Sequence, residues 1–104
     1  MSEFVSVADV QSLPPGQGRT VHVRGKDLAV FNLNGEFFAI DSVCPHKGGP
    51  LGEGFFKEGR VFCPLHGWEF EVRTGTCVTR PDRPVNSYPT QVRDGQLQIL
   101  IERD

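Results

Sequence analysis

An all-β fold is what this sequence predicts, on three grounds. Runs of alternating or β-branched residues recur along its 104 positions, turn dipeptides separate them, and helical character is confined to one short segment. That segment comes first: Ser6 to Leu13 (SVADVQSL) hints at a helix with Ser6 as N-cap, stopped by Pro14-Pro15-Gly16. Arg19 to Arg24 (RTVHVR) then alternates, with Val21 and Val23 on one face and His22 on the other. Asp27 to Leu33 (DLAVFNL) is a denser apolar run, and Glu36 to Ile40 (EFFAI) follows it. Between these two, Asn34-Gly35 tolerates the positive φ of a tight turn, so the strands should pair antiparallel. Tyr88 to Arg93 (YPTQVR) and Gln96 to Glu102 (QLQILIE) flank Asp94-Gly95 and should form a second hairpin. A chain of this size makes one domain and buries about 60 to 70% of its unfolded surface. No repeat or low-complexity tract interrupts residues 1–104.

Charge and composition narrow the function. The formal net charge is -2. With no basic stripe to neutralise a phosphate backbone, nucleic acid is not an expected partner. No apolar run approaches the roughly 20 residues that span a bilayer, and the opening MSEFVSVADV has no charged-then-apolar signal pattern. A cytoplasmic location without a membrane partner is therefore expected. Three cysteines are too few, and odd in number, for a disulfide scaffold. In a reducing compartment, cysteines beside histidines are more often metal ligands.

The stretch CPHKGGPLGEGFFKEGRVFCPLHGWEF, Cys44 to Phe70, holds two of the three cysteines and two of the three histidines. They form the pattern Cys-x-His, sixteen residues, Cys-x-x-His: Cys44 and His46, then Cys63 and His66. Each loop offers one thiolate and one imidazole, and the neighbouring prolines and glycines fix or free the backbone so that both can point to one centre. A cysteine–histidine nucleophile would account for one pair and leave the other unexplained. Two metal readings stay open. The donors can close a tetrahedral structural zinc site, or hold a two-iron cluster with cysteines on one iron and histidines on the other. The mixed Cys-then-His order of both loops leans toward the cluster, because zinc knuckles often pair two cysteines within one loop.

On these residues the chain resembles the Rieske proteins, whose Cys-x-His and Cys-x-x-His loops clasp a 2Fe-2S cluster. Gly48-Gly49-Pro50-Leu51, Gly67-Trp68, Phe70 and Arg73-Thr74-Gly75 look like the family as well, and the likeness covers essentially the whole chain. It implies an antiparallel β-sandwich with a small inserted cluster-binding subdomain at about 42–72, within a single Rieske domain spanning 1–104. It also implies one 2Fe-2S cluster per chain, with Cys44 and Cys63 on the inner iron and His46 and His66 on the outer. Two neutral imidazoles in place of two thiolates remove two negative charges, which raises the potential above that of an all-cysteine cluster.

Within the family, the respiratory type carries an extra cysteine in each loop and hydroxyl residues after the second histidine. Here Gly48 and Leu65 stand at the cysteine positions, and Trp68 and Phe70 at the hydroxyl positions. The resemblance is thus to the low-potential ferredoxin branch. Its implied partners are a flavoprotein reductase and a terminal oxygenase, or the large subunit of an NADH-dependent nitrite reductase whose small subunit this chain would be. The Pro81-Asp82-Arg83-Pro84 segment and Cys77 lean to the nitrite reductase subunit, Gly67-Trp68 to other Rieske proteins. Oxygenase activity in the chain itself would need a second iron on two histidines and a carboxylate. Only His22 remains, so an electron carrier rather than an enzyme is expected, docking through the surface around Pro45, Lys47, Gly48, Gly49, Pro50, Leu65, Gly67 and Trp68. Cys77 reads as a structural cysteine, His22 as an outward strand residue, and the phenylalanines as mainly core. Trp68 would either cover the cluster or fill the space beside the sandwich.

Overall fold

The computed structural model describes residues 1–46, 48–65 and 67–102. Among the described residues are ten strands: β1 (Ser2–Asp9), β2 (Gly18–Val23), β3 (Lys26–Leu33), β4 (Glu36–Asp41), β5 (Phe55–Lys57), β6 (Arg60–Phe62), β7 (Glu69–Glu71), β8 (Ser87–Tyr88), β9 (Thr90–Arg93) and β10 (Gln96–Glu102). The expected all-β class is borne out. The strands form three antiparallel sheets, in the orders β1-β10-β9, β2-β3-β4-β8 and β5-β6-β7. Among the described residues no helix is long and apolar enough to cross a membrane.

The β2-β3-β4-β8 sheet is the middle layer, and β3 explains why. Leu28 and Val30 pack with Val21, Val23 and Ala39 against Leu97, Ile99 and Ile101 of β10, whereas Ala29 and Phe31 pack with Ile40 against Leu51, Val61, Phe70 and Val72. A strand covered on both faces needs apolar residues at successive positions, which is what the dense run DLAVFNL supplies. The Asn34-Gly35 and Asp94-Gly95 hairpins form as expected, with both residues of each turn at positive φ. Arg24-Gly25 and Glu58-Gly59 make two more turns of the same kind, joining β2 to β3 and β5 to β6.

Three expectations are corrected. Ser6–Leu13 is not a helix. Residues 2–9 are extended and pair with β10, and only Val10–Ser12 make a 3-10 turn, whose cap is Asp9 accepting from the Gln11 amide at 2.9 Å. Alternation decides it: Val5 and Val7 face the core while Phe4 and Ser6 face out, a period of two that β-branched residues suit. Tyr88 to Arg93 is two strands in two sheets, divided at Pro89, which has no amide hydrogen for a ladder. Phe55, finally, is exposed rather than core.

Candidate metal centre

Both cysteine loops close with the same hydrogen bonds. In the first, the Cys44 amide donates to the Gly49 carbonyl at 2.9 Å, and the Gly48 amide to the Cys44 carbonyl at 2.8 Å. In the second, the Cys63 amide donates to the Trp68 carbonyl at 2.8 Å, and the Gly67 amide to the Cys63 carbonyl at 2.9 Å. Gly48 and Gly67 occupy equivalent places with the same φ of 74°, a left-handed conformation that other residues rarely adopt. Each loop thus curls back over its own cysteine, which turns the thiol inward and the middle of the loop outward. Cys44 and Cys63 are 1% and 3% exposed, while Pro45, Gly48, Pro64, Leu65 and Gly67 are exposed.

The two loops meet. A Cβ on Gly49 would stand 2.7 Å from Cys63 Sγ and 3.0 Å from Leu65 Cγ, so only glycine lets the first loop lie against the thiol of the second. On the other side, the half-buried His46 ring stacks on Trp68 at a centroid distance of 4.5 Å and an interplanar angle of 13°. Trp68 also packs against the core that holds Cys44, Cys63 and Phe31, so it holds the imidazole of the opposite loop beside that core. Below, Cys44 and Cys63 share one core with Leu51, Val61, Phe70 and Cys77. His66 and Lys47 lie outside the described residues. Among the described residues, no three His, Cys, Asp or Glu side chains converge on one ion.

Two further segments brace the loops. Asp41, just before the first loop, accepts from the Tyr88 hydroxyl at 2.5 Å and the Asn86 amide at 2.9 Å. Burial, and then the Asp41 carboxylate, push the Tyr88 phenol up to about 12. After β7, the chain returns along it: Val78 donates its amide to the Glu69 carbonyl at 2.7 Å, and Glu69 its amide to Thr79 Oγ1 at 3.0 Å. Cys77 is fully buried, as a structural cysteine should be, and its Sγ accepts from the Arg80 amide at 3.3 Å. His22 faces outward against Asp27, as expected.

A family model, that of the Rieske 2Fe-2S domain, matches residues 3–89. The chain belongs to the Rieske 2Fe-2S domain family. Among its relatives is the 3-phenylpropionate/cinnamic acid dioxygenase ferredoxin subunit of Photorhabdus laumondii, 37% identical over 94% of each chain. Among solved structures, the ferredoxin of carbazole 1,9a-dioxygenase from Nocardioides aromaticivorans is 29% identical, with a TM-score of 0.86 over 92% of this chain and 95% of that one. A Mycobacterium tuberculosis protein described as an NADH-dependent nitrite reductase small subunit is 25% identical, with a TM-score of 0.83 over 100% of this chain and 97% of that one.

A Rieske domain carries a 2Fe-2S cluster, and the donors here suit one. Two thiols sit in an apolar core and an imidazole lies at its rim, so sulfur donors would reach such a group from the core side and a nitrogen donor from the solvent side. What sequence reasoning missed is the part played by residues 77–80. The placing of Arg80 depends on the chain returning along β7, for which no local pattern in Cys77-Val78-Thr79-Arg80 gives a signal.

Proposed function

We propose that this chain is a soluble Rieske ferredoxin of the cytoplasm that takes single electrons from a flavoprotein reductase and passes them to a terminal oxygenase. One 2Fe-2S cluster per chain would be held by Cys44 and Cys63 through sulfur and by His46 and His66 through nitrogen. Residues 1–104 would form one Rieske domain, with about 42–72 as its cluster-binding subdomain. The observation that carries this reading is the pair of identically closed loops, abutting at Gly49 and Cys63, each with its cysteine turned inward.

When bound, the cluster supplies a one-electron couple. The protein does the rest. Its loop amides tie the thiol-bearing backbone in place, and Trp68 fixes the plane of the His46 ring. The apolar core keeps water from the sulfurs, and the exposed rim of Pro45, Leu65 and Gly67 leaves a small surface where a partner can approach for a brief encounter. The relationship to a dioxygenase ferredoxin subunit at 37% identity over nearly the whole length supports an oxygenase as acceptor. A second reading keeps the same site and changes only the acceptor, to the large subunit of a nitrite reductase; the 25% identity to such a small subunit speaks for it.

Purified protein should be red-brown, with about two irons and two acid-labile sulfides per chain. Cys44→Ser and His66→Ala should lose the colour and Cys77→Ser keep it. Colourless protein holding one zinc would overturn the proposal in favour of a structural zinc module. Electron delivery to a purified terminal oxygenase, set against delivery to a nitrite reductase large subunit, separates the two acceptors.

A further inference from the structure

Three segments distant in sequence bring three rings or planes together beside the candidate ligands. His46 comes from the first loop and stacks on Trp68 of the second. Arg80, from the segment returning along β7, places its guanidinium carbon over the Trp68 ring, 5.7 Å from the centroid. Its position is built rather than incidental. The Arg80 amide is tied to Cys77 Sγ, and the two residues before it are tied to Glu69, the neighbour of Trp68. Asp82 faces the same guanidinium, with Nε–Oδ1 at 3.4 Å and Nη2–Oδ2 at 3.5 Å.

We propose that Arg80 is a positioning residue for redox poise: seated on Trp68, its fixed positive charge favours the reduced centre, and Asp82 opposes it. The inference rests on the cluster reading given above. When one electron arrives from the reductase, the site gains one negative charge and no bond forms or breaks. A cation nearby stabilises the state after transfer more than the state before it, which raises the reduction potential; an anion does the reverse. Through Trp68 the guanidinium lies within about 10 Å of the His46 ring, roughly one Debye length at 0.1 M salt, so the effect survives at low ionic strength and fades at high. Arg80 is half-exposed and partly neutralised by Asp82, which keeps the effect modest. Asp82 remains charged at neutral pH, because a backbone hydrogen bond and then Arg80 hold its carboxyl below the usual carboxylate range.

The test is voltammetry at fixed pH and low salt on the cluster-loaded protein and two surface variants. Arg80→Gln should lower the equilibrium constant for reduction two- to fourfold, roughly 20 to 35 mV at 59 mV per tenfold for one electron. Asp82→Asn should shift it the other way by a similar factor, and Arg80→Lys should stay near wild type. Raising the salt to 1 M, where the Debye length is about 3 Å, should shrink both differences. Opposite signs are the decisive result, since a merely structural role would move both variants alike. Equal potentials in all variants, with iron and sulfide content intact, would overturn this inference and leave the ferredoxin reading standing. Unchanged potentials with slower delivery to an oxygenase would do the same and make Arg80 a docking residue. Wild-type protein without iron and sulfide would overturn both.

Discussion

Phe70 is fully buried in the core that also contains Cys44 and Cys63, and its ring carries no hydroxyl to donate there. Trp68 also lacks a hydroxyl, so the two side chains at the positions where the respiratory type has hydroxyls add no O–H donor toward the sulfurs. The potential should then lie toward the lower end of the Rieske range, which runs from about -150 to about +300 mV. Phe70→Tyr should raise it by several tens of millivolts, because a new hydroxyl bonds more strongly to the more negative reduced state. Voltammetry on the intact variant checks this, and an unchanged potential would dismiss the donor argument. Trp68→Ser is the poorer probe, since it removes the stack on His46 as well as adding a hydroxyl. At this scale the candidate ligands were legible in the sequence because soft donors are few and their spacing is unusual. Gly49 and Arg80 were not: one is read only from where Cys63 Sγ lies, the other only from where the chain after β7 returns.

Turns show what an element can and cannot reveal in advance. Asn34-Gly35 and Asp94-Gly95 announced their hairpins because asparagine and aspartate enter the left-handed region at low cost. Arg24-Gly25 and Glu58-Gly59 adopt the same geometry with residues that give no such signal. Glu58, at φ 53°, therefore holds an unfavourable conformation that asparagine tolerates better. Glu58→Asn should stabilise the protein by about 0.5 to 1 kcal/mol, raising Tm by about 2 to 6 °C. A calorimetric scan showing no rise would mean the turn carries no such cost. The part of β1 from Ser6 on reads as helix for a related reason: its alternation is short, and only pairing with β10 at the far end of the chain makes it decisive. The small strand β8 depends on Tyr88, the chain's one tyrosine, whose hydroxyl donates to Asp41. Its folded pKa of about 12 lies above the ordinary 10.0, so the neutral phenol is favoured by the fold. That contribution is whole below pH 10 and is lost as pH rises toward 12. Solvent screening of this half-buried group holds it to no more than about 1 kcal/mol. Phenolate absorbance should titrate near 12, and Tyr88→Phe should lose both the signal and the alkaline decline in stability. A midpoint at 10 would refute the coupling to Asp41.

The molecule as a whole is two cores divided by one sheet. Nine buried residues from β2, β3, β4, β10 and the turn at Leu13 make one core, and none is a cysteine. The other core holds Cys44, Cys63 and Cys77 together with Leu51, Val61, Phe70 and Val72, and the middle sheet reaches it through Ala29, Phe31 and Ile40. Metal binding contributes folding free energy only to the parts that its ligands order. Removing the cofactor should accordingly act on one side of the middle sheet. The loop amides of Cys44, Gly48, Cys63 and Gly67 close turns whose shape serves the thiols, and they should lose protection from hydrogen exchange by tenfold or more, a local opening about 1.4 kcal/mol easier. Leu28, Val30, Leu97 and Ile99 sit in strands paired over long stretches around a core without a candidate ligand, so their protection should stay within a few-fold of the loaded protein. Phe31 is the informative boundary: its side chain belongs to the cysteine-bearing core while its backbone belongs to the central ladder. Its amide should follow the ladder and stay protected. Hydrogen exchange before and after chelation, read residue by residue, tests all three groups at once. Uniform loss of protection across both cores would show that the sandwich cannot stand without its cofactor. Unchanged loops would show that Cys44 and Cys63 hold their turns without any metal.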